Sequence, residues 1–216
     1  MPLHLILAVL LVLAAPAQAF ETPGLDEAVA TYRLEAIAEL EASLEPRLTS
    51  YQRAEIQASK ALILSTQKDP DGARRHALAA IDSLKRAIAA NESVIASQFL
   101  LFKLYGQLAA HDWTFALKTR DPLRHLQTHA PHDRRTQLAE AMNWLFTPGI
   151  FGGNAAKAVE RLEALHAERF DPETANLLAL AYLQTGKRDR ARAIASEVLA
   201  RNPRDRSAQD LLERLR

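Results

Sequence analysis

The spacing of apolar residues is the feature that most restricts what this chain can fold into. Leu34, Ile37, Leu40 and Leu44 follow one another at steps of three or four residues, and the same steps recur over residues 81–88. That spacing is typical of a helix with one buried face. Glycine is limited to seven residues, alanine and leucine are abundant, and runs of β-branched residues are absent. The sequence therefore predicts an all-α fold.

Turn-forming residues divide this pattern into segments of about 10 to 20 residues, a usual length for helices. Proline, glycine, aspartate and asparagine at such points favour turns over helix. We therefore expect helices joined by short connections. The predicted breaks are Glu45-Pro46, Asp69-Pro70-Asp71-Gly72, Asn91, Asp121-Pro122, Ala130-Pro131, Thr147-Pro148-Gly149, Asp171-Pro172, Gly186 and Asn202-Pro203.

The segment from Pro172 to Asp205 has the clearest internal pattern. Small residues at Ala179 and Ala191 would let two antiparallel helices approach closely, and Tyr182 would fill the space beside them. Gly186 lies at the turn, where a helix C-cap often needs a conformation that larger residues resist. The segment therefore predicts one helix pair.

With Ala195 on the second helix and Pro203 as its terminator, this segment resembles the tetratricopeptide repeat, whose period is about 34 residues. The resemblance implies an α-solenoid of antiparallel helix pairs, a superhelix like that of the family. Looser repeats are predicted upstream by spacing. The expected organisation is a signal peptide at 1–19, an N-terminal capping helix in 20–50, about four helix pairs in 51–203, and a C-terminal capping helix in 204–216.

The N-terminal residues have the pattern of an export signal. An apolar run from Leu5 to Ala15 precedes Pro16 and the triplet Ala17-Gln18-Ala19, which predicts cleavage after Ala19. A membrane anchor over Leu3 to Ala19 is the alternative, but this run is shorter than the roughly 20 residues that a spanning helix needs. We expect a periplasmic or secreted protein with no membrane span after cleavage.

Composition excludes several function classes. The 27 Lys and Arg residues nearly balance the 26 Asp and Glu residues, and no clustered basic excess suggests nucleic-acid binding. The absence of cysteine excludes disulfides and thiolate chemistry. No Gly-x-Ser-x-Gly elbow is present, and carboxylate pairs such as Glu160 and Glu163 fit solvated helix faces. We expect no enzyme and no cofactor, although catalytic residues from distant repeats could converge without a motif.

A glycine-rich stretch lies between Leu145 and Leu162. A phosphate-binding loop would end in Gly-Lys followed by Ser or Thr, whereas this one ends in Gly153-Asn154-Ala155. We therefore interpret the stretch as a connector in which Pro148 stops the preceding helix. Anion binding at the start of the next helix is the alternative.

Within that connector, Gly152 and Gly153 would reverse the chain, and Asn154 would cap the following helix. Ile150 and Phe151 are expected to fill the gap between the two helices. The loop is similar to one in some exported bacterial tetratricopeptide proteins, including proteins linked to substrate-binding-protein transport systems. That similarity implies a second hypothesis, a small-ligand-binding accessory of an uptake system.

The family resemblance also implies a binding groove lined by the first helix of each pair. It places Asn176 and Leu180 of the last repeat, and Phe99 and Lys103 of the third, along that groove, and we add Trp144 beside the glycine loop. Asn176 would hydrogen-bond a peptide backbone, with an ordinary exposed asparagine as the alternative. The expected function is a scaffold for a protein or peptide partner in the cell envelope.

Two further groups need an interpretation. His125 and His129 are four residues apart, so on a helix they could hold a metal together with Asp121; exposed histidines without a metal are the alternative. The aromatic residues Trp113 and Phe115, like Trp144 and Phe146, are expected to pack in the core or between helices.

Overall fold

The computed structural model describes residues 21–30 and 33–216, and the signal peptide predicted over residues 1–19 lies outside them. The described residues form helices and connections without a strand, which confirms the all-α prediction. No described helix is both long and apolar enough to cross a membrane. The helices are α1 Leu25–Ala30, α2 Leu34–Leu44, α3 Ser50–Thr66, α4 Pro70–Ala89, α5 Val94–Ala109, α6 Thr114–Lys118, α7 Arg120–His129, α8 Arg134–Phe146, α9 Ala155–Glu168, α10 Pro172–Gln184, α11 Arg188–Arg201 and α12 Arg206–Arg214, with a 3₁₀ turn at Gly149–Phe151.

Helix starts follow from local side-chain chemistry. The Asp69 side chain accepts a hydrogen bond from Gly72 N at 2.9 Å, and Pro70 occupies the first turn of α4. Asp171 and Pro172 repeat this arrangement at α10. A capping carboxylate accepts a hydrogen bond from a backbone N–H that the helix leaves unpaired. The first turn accepts proline because the N–H that proline lacks would have no partner within the helix there. Short Asp-Pro signals therefore set these boundaries.

The chain divides into two compact units, residues 21–131 and 132–216 of the described part. In the first unit α3 and α4 form a long antiparallel pair, α5 packs on α4, and α6 and α7 pack on α5. The short helices α1 and α2 contact one another and α3. In the range 20–50, where a capping helix was expected, the described residues form the two helices α1 and α2, and Arg33 before α2 has an extended backbone.

The second unit is a succession of helices in which each packs against the next, from α8 to α12. In addition, α8 contacts α10 and α10 contacts α12, so alternate helices are also neighbours. Leucine, alanine and valine side chains fill the spaces between these layers. Its buried residues include Leu138, Met142, Leu145, Ala158, Leu162, Leu165, Leu178, Ala195, Val198, Ala208 and Leu211.

The α10–α11 pair has the geometry that its sequence predicts. Ala179 and Ala191 are fully buried, which lets the helices lie close together. Tyr182 is buried, and its hydroxyl donates to Glu163 Oε1 at 2.6 Å. Gly186 has a φ of 77°, a left-handed conformation that glycine adopts at little cost. Pro203 lies in the turn after α11.

Candidate interaction surface

The five residues expected along a groove are divided between the two units. Phe99 and Lys103 lie on α5 of the first unit, and Phe99 is buried with the Lys103 ammonium 5.4 Å from its ring centroid. Asn176 and Leu180 lie on α10 of the second unit, and both are buried. Trp144, near the end of α8, is only half-buried. These positions do not provide a row of exposed contact residues.

Asn176 joins two helices within the second unit. Its side chain is 5% exposed, and its Nδ2 donates to Asp205 Oδ1 at 3.2 Å. That same oxygen accepts a hydrogen bond from Ala208 N at 3.0 Å, so Asp205 caps α12. The expectation that Asn176 is exposed is therefore wrong, because its amide faces the start of α12. We infer no peptide contact from it.

Burial gives the contact between Asn176 and Asp205 an electrostatic cost. Asp205 is fully buried, and this burial raises the pKa of its carboxyl group despite the hydrogen bonds from Ala208 and Asn176. Neither Asn176 Oδ1 nor Asp205 Oδ2 has a hydrogen-bond partner among the described residues. Buried polar atoms without partners disfavour the folded state.

The turn between α8 and α9 is held by its own backbone. Phe151 N and Gly153 N both donate to Pro148 O, at 2.8 and 3.2 Å, and Asn154 N donates to Trp144 O at 2.8 Å. The Asn154 side chain accepts from Lys157 N at 3.0 Å, which makes it the N-cap of α9, as its residue type predicts. These bonds give the turn one closed conformation.

Both central glycines are required by this conformation. Gly152 has a φ of 97°, in the left-handed region that favours glycine. At Gly153 an added Cβ would lie only 1.7 Å from Thr147 O, so no larger residue fits without a change in the backbone. The connector interpretation agrees with this geometry.

The apolar side chains of the turn face solvent. Ile150 is 87% exposed and Phe151 is 75% exposed. The expectation that they fill the gap between α8 and α9 is wrong, because both side chains lie on a 3₁₀ turn that leaves them open to solvent. The 3₁₀ turn at Gly149–Phe151 presents both side chains outward.

Two half-buried side chains, one on α8 and one on α9, contact each other across this helix pair. The Arg161 guanidinium lies 5.7 Å from the centroid of the half-buried Trp144 ring, and Arg161 pairs with Glu140 at 3.5 Å. We call Trp144, Ile150, Phe151 and Arg161 the turn surface. Tryptophan, phenylalanine and arginine are enriched where proteins bind other proteins.

The histidine pair does not form a metal site with its neighbours. The rings of His125 and His129 stack with centroids 4.1 Å apart, and Asp121 lies 3.6 Å from Arg124. Burial of the imidazole lowers the pKa of His125, and electrostatic repulsion from the nearby His129 lowers it further. Within the part of the chain that the structure describes, no group of three His, Cys, Asp or Glu residues could hold a metal ion.

Trp113 and Phe115 have opposite environments although they are two residues apart. Phe115 is buried, as expected, and its ring lies 6.1 Å from that of Tyr105. Trp113 is 72% exposed, so the expectation that it packs in the core is wrong. Trp113 is the residue before α6, and it is exposed whereas Phe115 is buried. From the sequence, only the helical register of residues 113–126 could have indicated that Trp113 faces outward.

Comparison with known families agrees with this arrangement. Residues 152–215 match the tetratricopeptide repeat model, a range that starts within the α8–α9 turn and includes the whole of α12. No curated protein and no solved structure matches the chain. The match confirms the resemblance noted for residues 172–205 and extends it toward the turn surface.

Proposed function

We propose that the chain is a non-enzymatic scaffold that binds a protein partner in the cell envelope, on the premise that its residues 152–215 match the tetratricopeptide repeat model. The proposed location rests on the export signal predicted at residues 1–19. Repeats of this family are generally used to hold proteins together rather than to catalyse reactions.

The observation that carries this proposal is the exposure of Ile150 and Phe151 on a closed turn. Large apolar side chains in water are unfavourable, and an exposed apolar cluster on a soluble unit often marks a binding site. Because Gly153 and Asn154 fix the backbone, the two side chains are presented without the loss of conformational freedom that a flexible loop would incur on binding.

The flanking residues suit a protein partner. Trp144 offers a half-exposed aromatic face, and Arg161 adds a cation beside it. Together with Ile150 and Phe151 they give an apolar centre with a polar edge, which is the usual layout of a protein interface. We expect the partner to bring a pocket that receives Phe151.

The test is affinity capture from the native envelope with the tagged chain of residues 20–216. The double variant Ile150→Ser/Phe151→Ser removes the apolar centre of the turn surface. The matched control is Trp113→Ser/Leu117→Ser, which removes another exposed apolar pair in the first unit. We expect one specific protein to be captured by the wild type and the control, and its recovery to fall about tenfold or more in the turn variant.

Equal recovery by all three proteins would contradict the turn surface as the binding site. If no protein is captured but the turn variant alone loses a bound small molecule, the small-ligand hypothesis would replace the scaffold. Circular dichroism of each variant separates lost binding from lost folding.

A further inference from the structure

A second exposed apolar pair lies in the first unit, on the segment that contains α6 and α7. Trp113 is 72% exposed and Leu117 is 59% exposed. Phe115, Leu123 and Leu126 of the same segment are buried. The segment therefore has an inward face in the core and an outward face with a tryptophan and a leucine on it.

The helical register places basic residues on the same outward face. Trp113, Leu117, Arg120 and Arg124 follow at steps of four, three and four residues, the spacing of one side of a helix. The helical backbone continues between α6 and α7, because Thr119 has φ −69° and ψ −21° and its carbonyl accepts from Leu123 N at 3.2 Å. We call these four residues the Trp113 face.

The charges around this face are mostly positive. Lys118, Arg120 and Arg124 are exposed, and their acidic neighbour Asp121 lies 3.6 Å from Arg124 in a pair that is open to solvent. Such exposed pairs are weak and leave the guanidinium accessible to another anion. Asp112 is occupied by hydrogen bonds from Thr114.

We propose that the Trp113 face binds peripherally to an anionic lipid surface. Tryptophan favours the boundary between headgroups and acyl chains, and Leu117, one helical turn away, can enter the same layer. Arginine side chains beside them attract anionic headgroups. The face thus combines a small apolar insertion with a basic flank.

The charge of this face favours anionic lipid over a protein partner. Its two apolar side chains share one helical side with exposed Arg120 and Arg124, a combination suited to an anionic surface. A bilayer accepts a shallow insertion of a few side chains without a complementary pocket. The proposal goes beyond the scaffold function and uses a surface in the other unit, so either can fail alone.

The experiment uses residues 20–216 and co-sedimentation with vesicles of phosphatidylcholine, with or without phosphatidylglycerol. We expect binding only to the vesicles that contain phosphatidylglycerol, and weaker binding at high salt. Trp113→Ser/Leu117→Ser and Arg120→Gln/Arg124→Gln should each reduce the bound fraction several-fold. Ile150→Ser/Phe151→Ser, which removes a more exposed apolar pair in the other unit, should bind the vesicles as the wild type does.

A second readout follows Trp113 directly. In a Trp144→Phe background Trp113 is the remaining indole of the chain's two tryptophans, and its emission should shift to shorter wavelength when anionic vesicles are added. The proposal is overturned if the emission does not change, or if the wild type and Trp113→Ser/Leu117→Ser sediment equally. It is also overturned if the wild type binds no vesicles but captures from the envelope a protein that Trp113→Ser/Leu117→Ser does not capture.

Discussion

Gly153 has a conformational role in the α8–α9 turn that no larger residue can fill without a change in the backbone. A Cβ atom added at Gly153 would lie 1.7 Å from Thr147 O, whereas a Cβ atom added at Gly149, four residues earlier, would have no neighbour within 4 Å. We expect Gly153→Ala to lower the free energy of unfolding by about 1–3 kcal/mol, the usual cost of forcing extra volume into a packed site. Urea unfolding measures this change.

Gly149→Ala is the matched control for that variant, with an expected change within about 0.5 kcal/mol. Equal stability of the two variants would contradict the closed conformation of the turn.

Asp205 provides a pH-dependent test of burial at α12. Burial raises its pKa above the ordinary value of 3.8. Since the folded state then binds a proton more readily than the unfolded state, the destabilising effect of the charged carboxyl is present at neutral pH and is relieved as pH falls through the folded-state pKa. We expect the wild type to gain stability relative to Asp205→Asn as pH falls from about 7 to about 4.

Asparagine is also a good N-cap residue, so Asp205→Asn keeps the capping oxygen while it removes the titration. Denaturant unfolding at a series of pH values gives the difference in free energy between the two proteins. A difference that stays constant over the whole range would show that burial does not perturb this group.

Residue roles that depend on local backbone chemistry are predictable from the sequence. Asn154 and Gly186 are examples, because a capping side chain and a left-handed turn depend on adjacent residues. The exposure of Phe151 and Trp113 is not predictable in this way. Whether an aromatic residue near a turn faces inward depends on how the neighbouring helices pack, and the residues next to it in sequence do not determine that packing.

At the scale of helices, the contact between α10 and α12 includes one buried hydrogen bond, from Asn176 to Asp205. Asn176→Ala would remove the donor to Asp205 Oδ1 and leave a buried carboxylate with one partner fewer. We expect the free energy of unfolding to fall by about 1–3 kcal/mol. Gln184→Ala, at an exposed position on the same helix, should change stability by less than about 0.5 kcal/mol.

Thermal or urea unfolding of both variants checks this prediction. If Asn176→Ala were as stable as Gln184→Ala, the hydrogen bond to Asp205 would make no net contribution to stability.

Helix boundaries were the most predictable feature at this scale. Asp69-Pro70 and Asp171-Pro172 start helices as expected, because both the cap and the proline act locally. The expected single N-terminal helix is instead α1 and α2. The break near Arg33 has no proline or glycine to indicate it, so local chemistry could not have predicted the separation.

At the scale of the whole molecule, the second unit contains a core of its own. Leu138, Leu162, Leu178 and Val198 come from four successive helices and are all buried. Repeat units of this kind gain stability from contacts between neighbours. We therefore expect the fragment 132–216 to be helical by circular dichroism and to unfold cooperatively.

In this fragment Leu162→Ala, at a fully buried position, should lower the free energy of unfolding by about 2–5 kcal/mol. A fragment that lacks helical structure, or whose melting is unaffected by this substitution, would contradict a self-sufficient core.

The scaffold proposal is tested most directly by photocrosslinking in living cells. A photoreactive phenylalanine analogue replaces Phe151, and the same analogue at the exposed Gln184 of α10 is the control in the same unit. We expect a protein adduct at position 151 that is absent at position 184 and is lost when Ile150 is replaced by serine. No adduct at 151, or the same adduct at both positions, would contradict the turn surface as a protein-binding site.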